Sequence, residues 1–363
     1  MKKVLSLLTA LLIFGIWNSS FAQIKMSGDL QVRPRYDIKD SGTYGGKTED
    51  MYYMMRARLN FKANLGDGWF GHIKLSHYNY AGYFYSSGLD VNHPSILGNE
   101  LIARPSVNFN LAYFGYHGKS WGIEGGIIPM NALKDPILDA HYYPYKMIDI
   151  PFTIWGLNSA TGFQGYFTAG KSGRINWFAT KDFNEKYSED INGKVLSDNH
   201  DQYTFGLNYA IKAGGFFFQP EIMFRWASDS IAAPVTFGAN FATPKFGGYT
   251  LSLDGAYTSQ KADGTAQYDG YLFRVKLQGK VGTGTAQIWY DIAKRTDNGF
   301  NGVGPDVDNN YGYLWAAYKI PVMKAKHGAV TIIPRVRYIT ETVDNTKDYS
   351  RAKIECLFVA SFK

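Results

Sequence analysis

Hydrophobic and polar residues alternate with a period of two through most of this chain, and that pattern limits the fold more than any other feature. In Ile24-Lys25-Met26-Ser27-Gly28-Asp29-Leu30-Gln31-Val32-Arg33-Pro34-Arg35-Tyr36-Asp37-Ile38, the apolar residues Ile24, Met26, Leu30, Val32, Tyr36 and Ile38 share one parity. Lys25, Asp29, Gln31, Arg33, Arg35 and Asp37 share the other. Successive Cβ atoms of a strand point to opposite faces, so such a segment has one greasy face and one charged face. The next segment repeats it, with Met55, Ala57, Leu59, Phe61, Ala63 and Leu65 against Arg56, Arg58, Asn60, Lys62 and Asn64.

Followed to the end, the alternation predicts sixteen strands. Their expected spans are 24–39, 51–65, 69–80, 105–117, 121–129, 160–169, 174–183, 201–212, 216–227, 233–243, 248–258, 268–281, 284–294, 309–321, 328–340 and 348–362. Alternation is weakest near 121–129, 233–243 and 309–321, where apolar residues fall on both parities. Connections after even strands are short and rich in glycine, for example Gly66-Asp67-Gly68, Gly118-Lys119-Ser120, Ala213-Gly214-Gly215 and Gly282-Thr283. Those after odd strands are mostly longer, at 40–50, 81–104, 130–159, 184–200, 259–267, 295–308 and 341–347. An even strand count with short turns at one end and long loops at the other is the pattern of a transmembrane antiparallel β-barrel. Lipid cannot satisfy a free sheet edge, so such a sheet must close.

Export fits this reading. Met1-Lys2-Lys3 is a positive n-region, Val4 to Trp17 an apolar run, and Asn18-Ser19-Ser20-Phe21-Ala22 a polar segment ending in small-x-small. These residues predict a signal peptide over 1–22, cleaved after Ala22, and one barrel domain over 23–363. The apolar run is too short for a membrane-spanning helix, which needs about 20 residues. Gln23, not a cysteine, stands directly after the cleavage site; Cys356 stands alone and excludes an intramolecular disulfide framework. Aromatic residues make up 16% of the chain, with 27 Tyr, 24 Phe and 8 Trp. Many fall near strand ends on the apolar parity, among them Tyr36, Tyr53, Trp69, Trp121, Phe216, Phe218, Tyr249, Tyr257 and Tyr338. Membrane interfaces favour amphipathic rings there, whereas a secreted sandwich would carry mainly aliphatic core residues.

The opening strand Gly28-Asp29-Leu30-Gln31-Val32-Arg33-Pro34-Arg35-Tyr36 resembles those of Gram-negative porins, and so does Met55-Arg56-Ala57-Arg58-Leu59-Asn60-Phe61-Lys62-Ala63-Asn64-Leu65 before its tight turn and Trp69. Gly125-Gly126-Ile127-Ile128-Pro129 sits where such porins run into a loop folded inside the barrel. The likeness is greatest to the phosphate-selective porin O/P-like family. It implies an all-β barrel of about 16 strands with an inward-folded third external loop, assembled as a homotrimer in the cell outer membrane. Its surroundings would be lipid, lipopolysaccharide and the barrel assembly machinery. Two departures stand out. Phe362 is penultimate and Lys363 last, where such barrels end on an aromatic residue. The segment 130–159 also lacks the row of lysines that a dedicated phosphate site would need.

The polar parity carries Arg33, Arg35, Arg56, Arg58, Lys62, Lys74, Arg225, Arg274, Lys276, Lys280, Arg335, Arg337, Arg351 and Lys353. Strands 1, 2, 15 and 16 become neighbours once the barrel closes, so their cations are expected on one wall. Arginine stays charged and suits carboxylate and phosphate, and rings of side-chain charge set pore selectivity. Asp29, Asp37, Glu124, Glu221, Asp254, Asp291 and Glu355 lie on the same parity as counter-charges. The loop 130–159 carries Lys134, Asp135, Asp139, His141, Lys146 and Asp149 among several aromatic rings. It is the expected constriction, with its acids facing the wall arginines across the pore.

Chemistry of other kinds finds little support. There is no Gly-x-Ser-x-Gly, and His72, His77, His93, His117, His141, His200 and His327 are scattered and read as surface or interface residues. His72 and His77 differ in parity, so they cannot share a metal or a base–nucleophile role. Asp306-Val307-Asp308-Asn309-Asn310 lacks the glycine and terminal glutamate of a calcium loop and reads as solvated. The net charge of +7 comes without a clustered basic binding motif, which argues against nucleic acid. No catalytic residue, cofactor or metal is expected. The sequence therefore points to a water-filled channel for small hydrophilic solutes and ions, favouring anions. Its rivals are a substrate-specific channel for phosphate, dicarboxylate or sugar, and an adhesin or structural barrel whose loops do the work.

Overall fold

The structure is a computed structural model and describes residues 23–40, 46–81, 107–130, 159–170, 172–183, 202–227, 233–261, 264, 266–344 and 346–363. Sixteen strands follow in chain order: β1 (Gln23–Asp40), β2 (Lys47–Gly66), β3 (Trp69–Ala81), β4 (Asn108–His117), β5 (Trp121–Pro129), β6 (Ser159–Ala169), β7 (Gly173–Phe183) and β8 (Gln202–Ala213), then β9 (Phe216–Ala227), β10 (Val235–Ala242), β11 (Tyr249–Gln260), β12 (Ala266–Val281), β13 (Gly284–Phe300), β14 (Val307–Ala325), β15 (Gly328–Val343) and β16 (Thr346–Phe362). Each pairs antiparallel with its sequence neighbours, and β1 pairs with β16 to close the sheet into a barrel. The seam is continuous from Gly28↔Phe362 to Asp40↔Ser350. Among the described residues every regular element longer than a turn is a strand.

The short connections lie at one end of the barrel and are built for strand reversal. Between β2 and β3, Asp67 and Gly68 have φ of 50° and 88°; Gly214 and Gly215, between β8 and β9, have 57° and 84°. Two successive residues at positive φ form the tight hairpin turn whose twist matches the flanking strands, which is why glycine recurs there.

At the other end several strands outrun their expected limits. β2 begins at Lys47 rather than 51, β13 runs to Phe300 rather than 294, and β14 begins at Val307 rather than 309. These extensions are polar on both faces, so alternation cannot reveal them, yet ladder hydrogen bonds such as those between the β13 and β14 backbones still form. Side chains brace the extension, with Thr296 Oγ1 donating to Asp308 (2.7 Å) and Lys294 ion-paired to Asp308 (2.7 Å). Asp308 to Asn310 are thus strand rather than loop. Residues 1–22, expected as a signal peptide, and all but the two end residues of the expected constriction loop 130–159 lie outside the described residues.

Parity decides which side chain meets which environment. The outer face carries two aromatic bands, with Trp69, Trp121, Phe216 and Phe218 toward the short-turn end and Tyr53, Trp226, Tyr257, Tyr271 and Tyr338 toward the other, all among the exposed hydrophobics. Aliphatic residues such as Leu30, Val32, Ile73, Leu207, Val275, Ile288 and Val336 are exposed between them. Polar residues fill the inside, including Asp29, Gln31, Asp37, Glu124, Gln164, Asn176, Thr204, Asn208, Gln219 and Asp254, all buried. The usual arrangement of a folded chain is inverted.

The interior is not uniformly polar. Phe178, Met223, Leu272, Trp289, Tyr313 and Trp315 belong to one buried apolar cluster on the inner side of the barrel, joined by Ile128 and Met130. This explains the weak alternation near 121–129 and 309–321, where inward positions are apolar too.

Candidate pore-lining site

The inner wall formed by β15, β16, β1 and β2 gathers most of the expected cations. Register sets their neighbours. Arg335 on β15 and Arg35 on β1 both lie directly opposite Glu355 on β16, and Arg35 in turn opposes Tyr52 on β2. The Glu355 carboxylate has no side-chain exposure and contacts four guanidinium groups: Arg35 (2.7 Å), Arg335 (2.9 Å), Arg337 (2.5 Å) and Arg33 (3.5 Å). Arg35 also donates from Nη1 to the Tyr52 hydroxyl (2.8 Å), which donates to Asp37 (3.0 Å). One row further along, Arg337, Lys353 and Asp37 stand side by side on β15, β16 and β1. Arg351 closes on Asp37 with two hydrogen bonds of 2.7 and 2.5 Å.

A second group lies on β1 and β2 toward the short turns. Asp29 opposes Arg58 in register and accepts from Arg58 (2.7 Å) and Arg56 (2.9 Å). Lys62 is exposed near the same end, and Lys74 faces inward from β3 opposite Asn60. Arg33, Arg35, Arg56, Arg58, Arg335, Arg337, Arg351 and Lys353 thus share Asp29, Asp37 and Glu355. Cations outnumber those carboxylates, so the wall keeps positive charge while each buried acid is matched. Arg56, Arg58 and Arg337 retain 27% or less of side-chain exposure, so the charge stands at the inner surface rather than in free solvent.

Four expected members lie elsewhere, one of them Lys280, exposed on β12 opposite Thr285 near the short-turn end. Arg274 on β12 is 1% exposed and forms a two-pronged pair with Asp291 of β13 (2.6 and 2.9 Å), so its charge is matched inside the wall. Lys276 neighbours it on β12, 5.9 Å from the centre of the Trp289 ring. Arg225 is on β9, across the barrel from the seam. Lys134, Asp135, Asp139, His141, Lys146 and Asp149 lie outside the described residues.

His72 differs from its expected surface position. It is 7% exposed on the inner face, with Nδ1 3.0 Å from the Tyr113 hydroxyl and Nε2 3.4 Å from Asn60. Its parity is that of Lys74, so the same alternation could have placed it inside. His117 sits 2.6 Å from Glu124, also facing inward. Among the described residues no group of three or more His, Cys, Asp or Glu side chains could hold a metal ion.

Sequence reasoning missed the Trp289–Trp315 pair. The two rings stack at 3.8 Å between centroids with 11° between planes, on the inner face of β13 and β14. Arg274 lies 5.0 Å from the centre of the Trp289 ring, and Arg335 5.8 Å from that of Trp315. The signal was present: Trp289 is on the polar parity of β13 between outward Ile288 and Tyr290.

No protein-family model matches the chain, and no curated protein matches it. Solved structures do. An anion-selective porin from Comamonas acidovorans aligns with a TM-score of 0.59 at 11% identity, over 94% of this chain and 99% of that one. OmpF of Salmonella typhi, solved as a complex with daunomycin, gives 0.59 at 12%, over 94% and 99%. A loop-deletion mutant of OmpT, an outer membrane protein of Vibrio cholerae, gives 0.56 at 12%, over 93% and 99%. At these identities the likeness establishes a shared barrel fold.

Proposed function

We propose that the chain is an outer-membrane porin, a passive water-filled channel for small hydrophilic solutes and ions that favours anions. The observation that carries this reading is the one-sided inner wall around Glu355 and Asp29, where arginines exceed the carboxylates they hold. Rings of fixed charge at a water-filled constriction select the counter-ion. Membrane placement rests on the outer face: from Phe218 to Trp226 on β9, strand geometry gives about 26 Å between aromatic bands, or about 20 Å across a bilayer at barrel tilt, close to the expected apolar band of about 25 Å. No helix of the described residues is long and apolar enough to cross a membrane, which leaves crossing by strands untouched.

On this reading residues 1–22 are a cleaved leader, the short turns face the periplasm and the segment 130–159 narrows the pore. The barrel assembly machinery inserts the chain among lipid and lipopolysaccharide, and the working form is a homotrimer. Outer-membrane proteins among the structural neighbours, one of them named as an anion-selective porin, support the class. The phosphate-selective O/P-like assignment remains part of the proposal, resting on the β1 and β2 residues. The test is single-channel recording in planar bilayers with the reversal potential measured across a salt gradient. Discrete openings with a reversal potential on the anion side are expected. Absence of ion flux from correctly folded protein would favour an adhesin or structural barrel instead.

A further inference from the structure

On the outer, apolar side of the barrel, the short-turn half of β11 to β15 holds an open groove of about 360 Å³. Register shows how it forms. Tyr249, Gly279, Ala286 and Tyr318 stand in one outward row across β11 to β14, and Ile288, Ala316 and Val336 in the next. Glycine and alanine at 279, 286 and 316 keep the floor low between larger neighbours, of which Ile288 and Val336 are exposed. A Cβ at Gly279 would run into the Tyr249 ring, so that ring lies across the glycine. On the other side the Tyr318 ring covers Gly284, and its hydroxyl donates to the Val281 carbonyl (2.7 Å). Both rings are held at the ends of the row instead of folding over the floor. From β12 to β14 that floor is about 10 Å wide, enough to seat acyl chains side by side.

Charge narrows what can cover it. The stretches 242–253, 275–290 and 312–340, which form this end of the five strands and their turns, contain eight Lys or Arg and no Asp or Glu. Lys245 lies in the turn before β11, Lys280 beside the turn after β12, and Lys324 and Lys326 at the hairpin of β14 and β15; all four are exposed. Lysine stems lie along apolar surface while their ammonium groups reach out to headgroup level. Basic clusters beside an apolar membrane surface attract anionic lipid. A second copy of the chain has little to offer these lysines, because of the short turns only Gly66-Asp67-Gly68 carries an acid.

Building on the reading of an outer-membrane barrel, we infer that this groove is a binding site for an anionic phospholipid of the leaflet at the short turns. The acyl chains lie along Gly279, Ala286 and Ala316, and the phosphate is held at Lys245 and Lys324. Each lysine near such a headgroup contributes about fivefold in affinity.

The experiment is native mass spectrometry of the full-length protein in mild detergent, titrated with phosphatidylglycerol or with zwitterionic phosphatidylcholine. Phosphatidylglycerol is expected to be retained, one per chain, at about tenfold lower concentration than phosphatidylcholine. Lys245→Gln combined with Lys324→Gln should bring it to the level of phosphatidylcholine. Ala286→Trp, which fills the floor and leaves every charge in place, should remove the retained lipid. Equal retention of the two lipids by the unmodified protein overturns the inference, as does an unchanged preference in the lysine variant. Loss of an oligomer mass rather than of lipid in Ala286→Trp also overturns it, since a second copy would then occupy the groove. Should Ala286→Trp fail to form a heat-modifiable barrel, the lysine variant, altered only at exposed positions, carries the test. A protein that stays soluble without detergent would instead overturn the membrane reading itself, so the two failures are distinguishable.

Discussion

With its side chain wholly withdrawn from solvent, the Glu355 carboxylate has exchanged hydration for four guanidinium groups. Removing one charge from a buried ion network leaves the others uncompensated, which costs far more than an exposed surface pair contributes. Glu355→Gln keeps the shape and deletes the charge. It should destabilise the barrel by about 3 kcal/mol, read as a lower urea midpoint for unfolding from lipid vesicles. In the fraction that folds, the reversal potential should move further toward anions, since the arginines lose their shared counter-charge. A midpoint equal to that of the parent would mean that the guanidinium groups find sufficient water in the lumen.

Among the strands, β2 and β15 offer a controlled comparison. Each presents two inward arginines, Arg56 with Arg58 and Arg335 with Arg337, and the two strands are about 15 Å apart across β1 and β16. With a Debye length of about 8 Å at physiological salt, their fields overlap only in part. Replacing both arginines of either pair with glutamine should shift the reversal potential toward cations, most clearly at low salt. The shifts should differ. Asp29 loses both of its guanidinium contacts in the β2 variant, while Glu355 keeps Arg33 and Arg35 in the β15 variant. The β2 pair should therefore give the larger change, as a bare carboxylate appears where a matched one stood. Equal reversal potentials before and after, in folded variants, would show that neither pair sets selectivity.

Alternation exposed these strands because inward and outward residues meet water and apolar surroundings in turn. It gave the inner cations of β1, β2, β15 and β16 their common face. What it could not give was partnership: Arg58 meeting Asp29, or Arg335 meeting Glu355, depends on register, which the turns and loops impose. Alternation also loses force wherever both environments are alike. In β14, Tyr313 and Trp315 point inward while Leu314 and Ala316 point outward, so the parity signal fades. In the extended ends of β13 and β14 both faces are polar, and the strands outran the reading.

For the whole barrel, the arrangement of connections fixes the topology. If the short turns face the periplasm, cysteines at Gly45, Asp90 and Asp190 in a Cys356→Ser background should react with an impermeant thiol reagent on intact cells. Cysteines at Asp67 and Lys119 should not. Reactive turn positions would invert the barrel. Native mass spectrometry from mild detergent should find the trimer mass, and a monomer under those conditions would remove the homotrimer from the proposal.

Arg35 and Glu355 are 320 residues apart in the chain and meet only across the junction of β1 and β16. The charged wall is therefore not the property of any hairpin. It comes into being at the moment the first strand finds the last, and a sheet left ajar there would keep nearly all its hydrogen bonds yet present half a wall to each side. On the proposed channel reading, ion preference would double as a certificate of completion: a current that discriminates charge would come from a barrel that has shut.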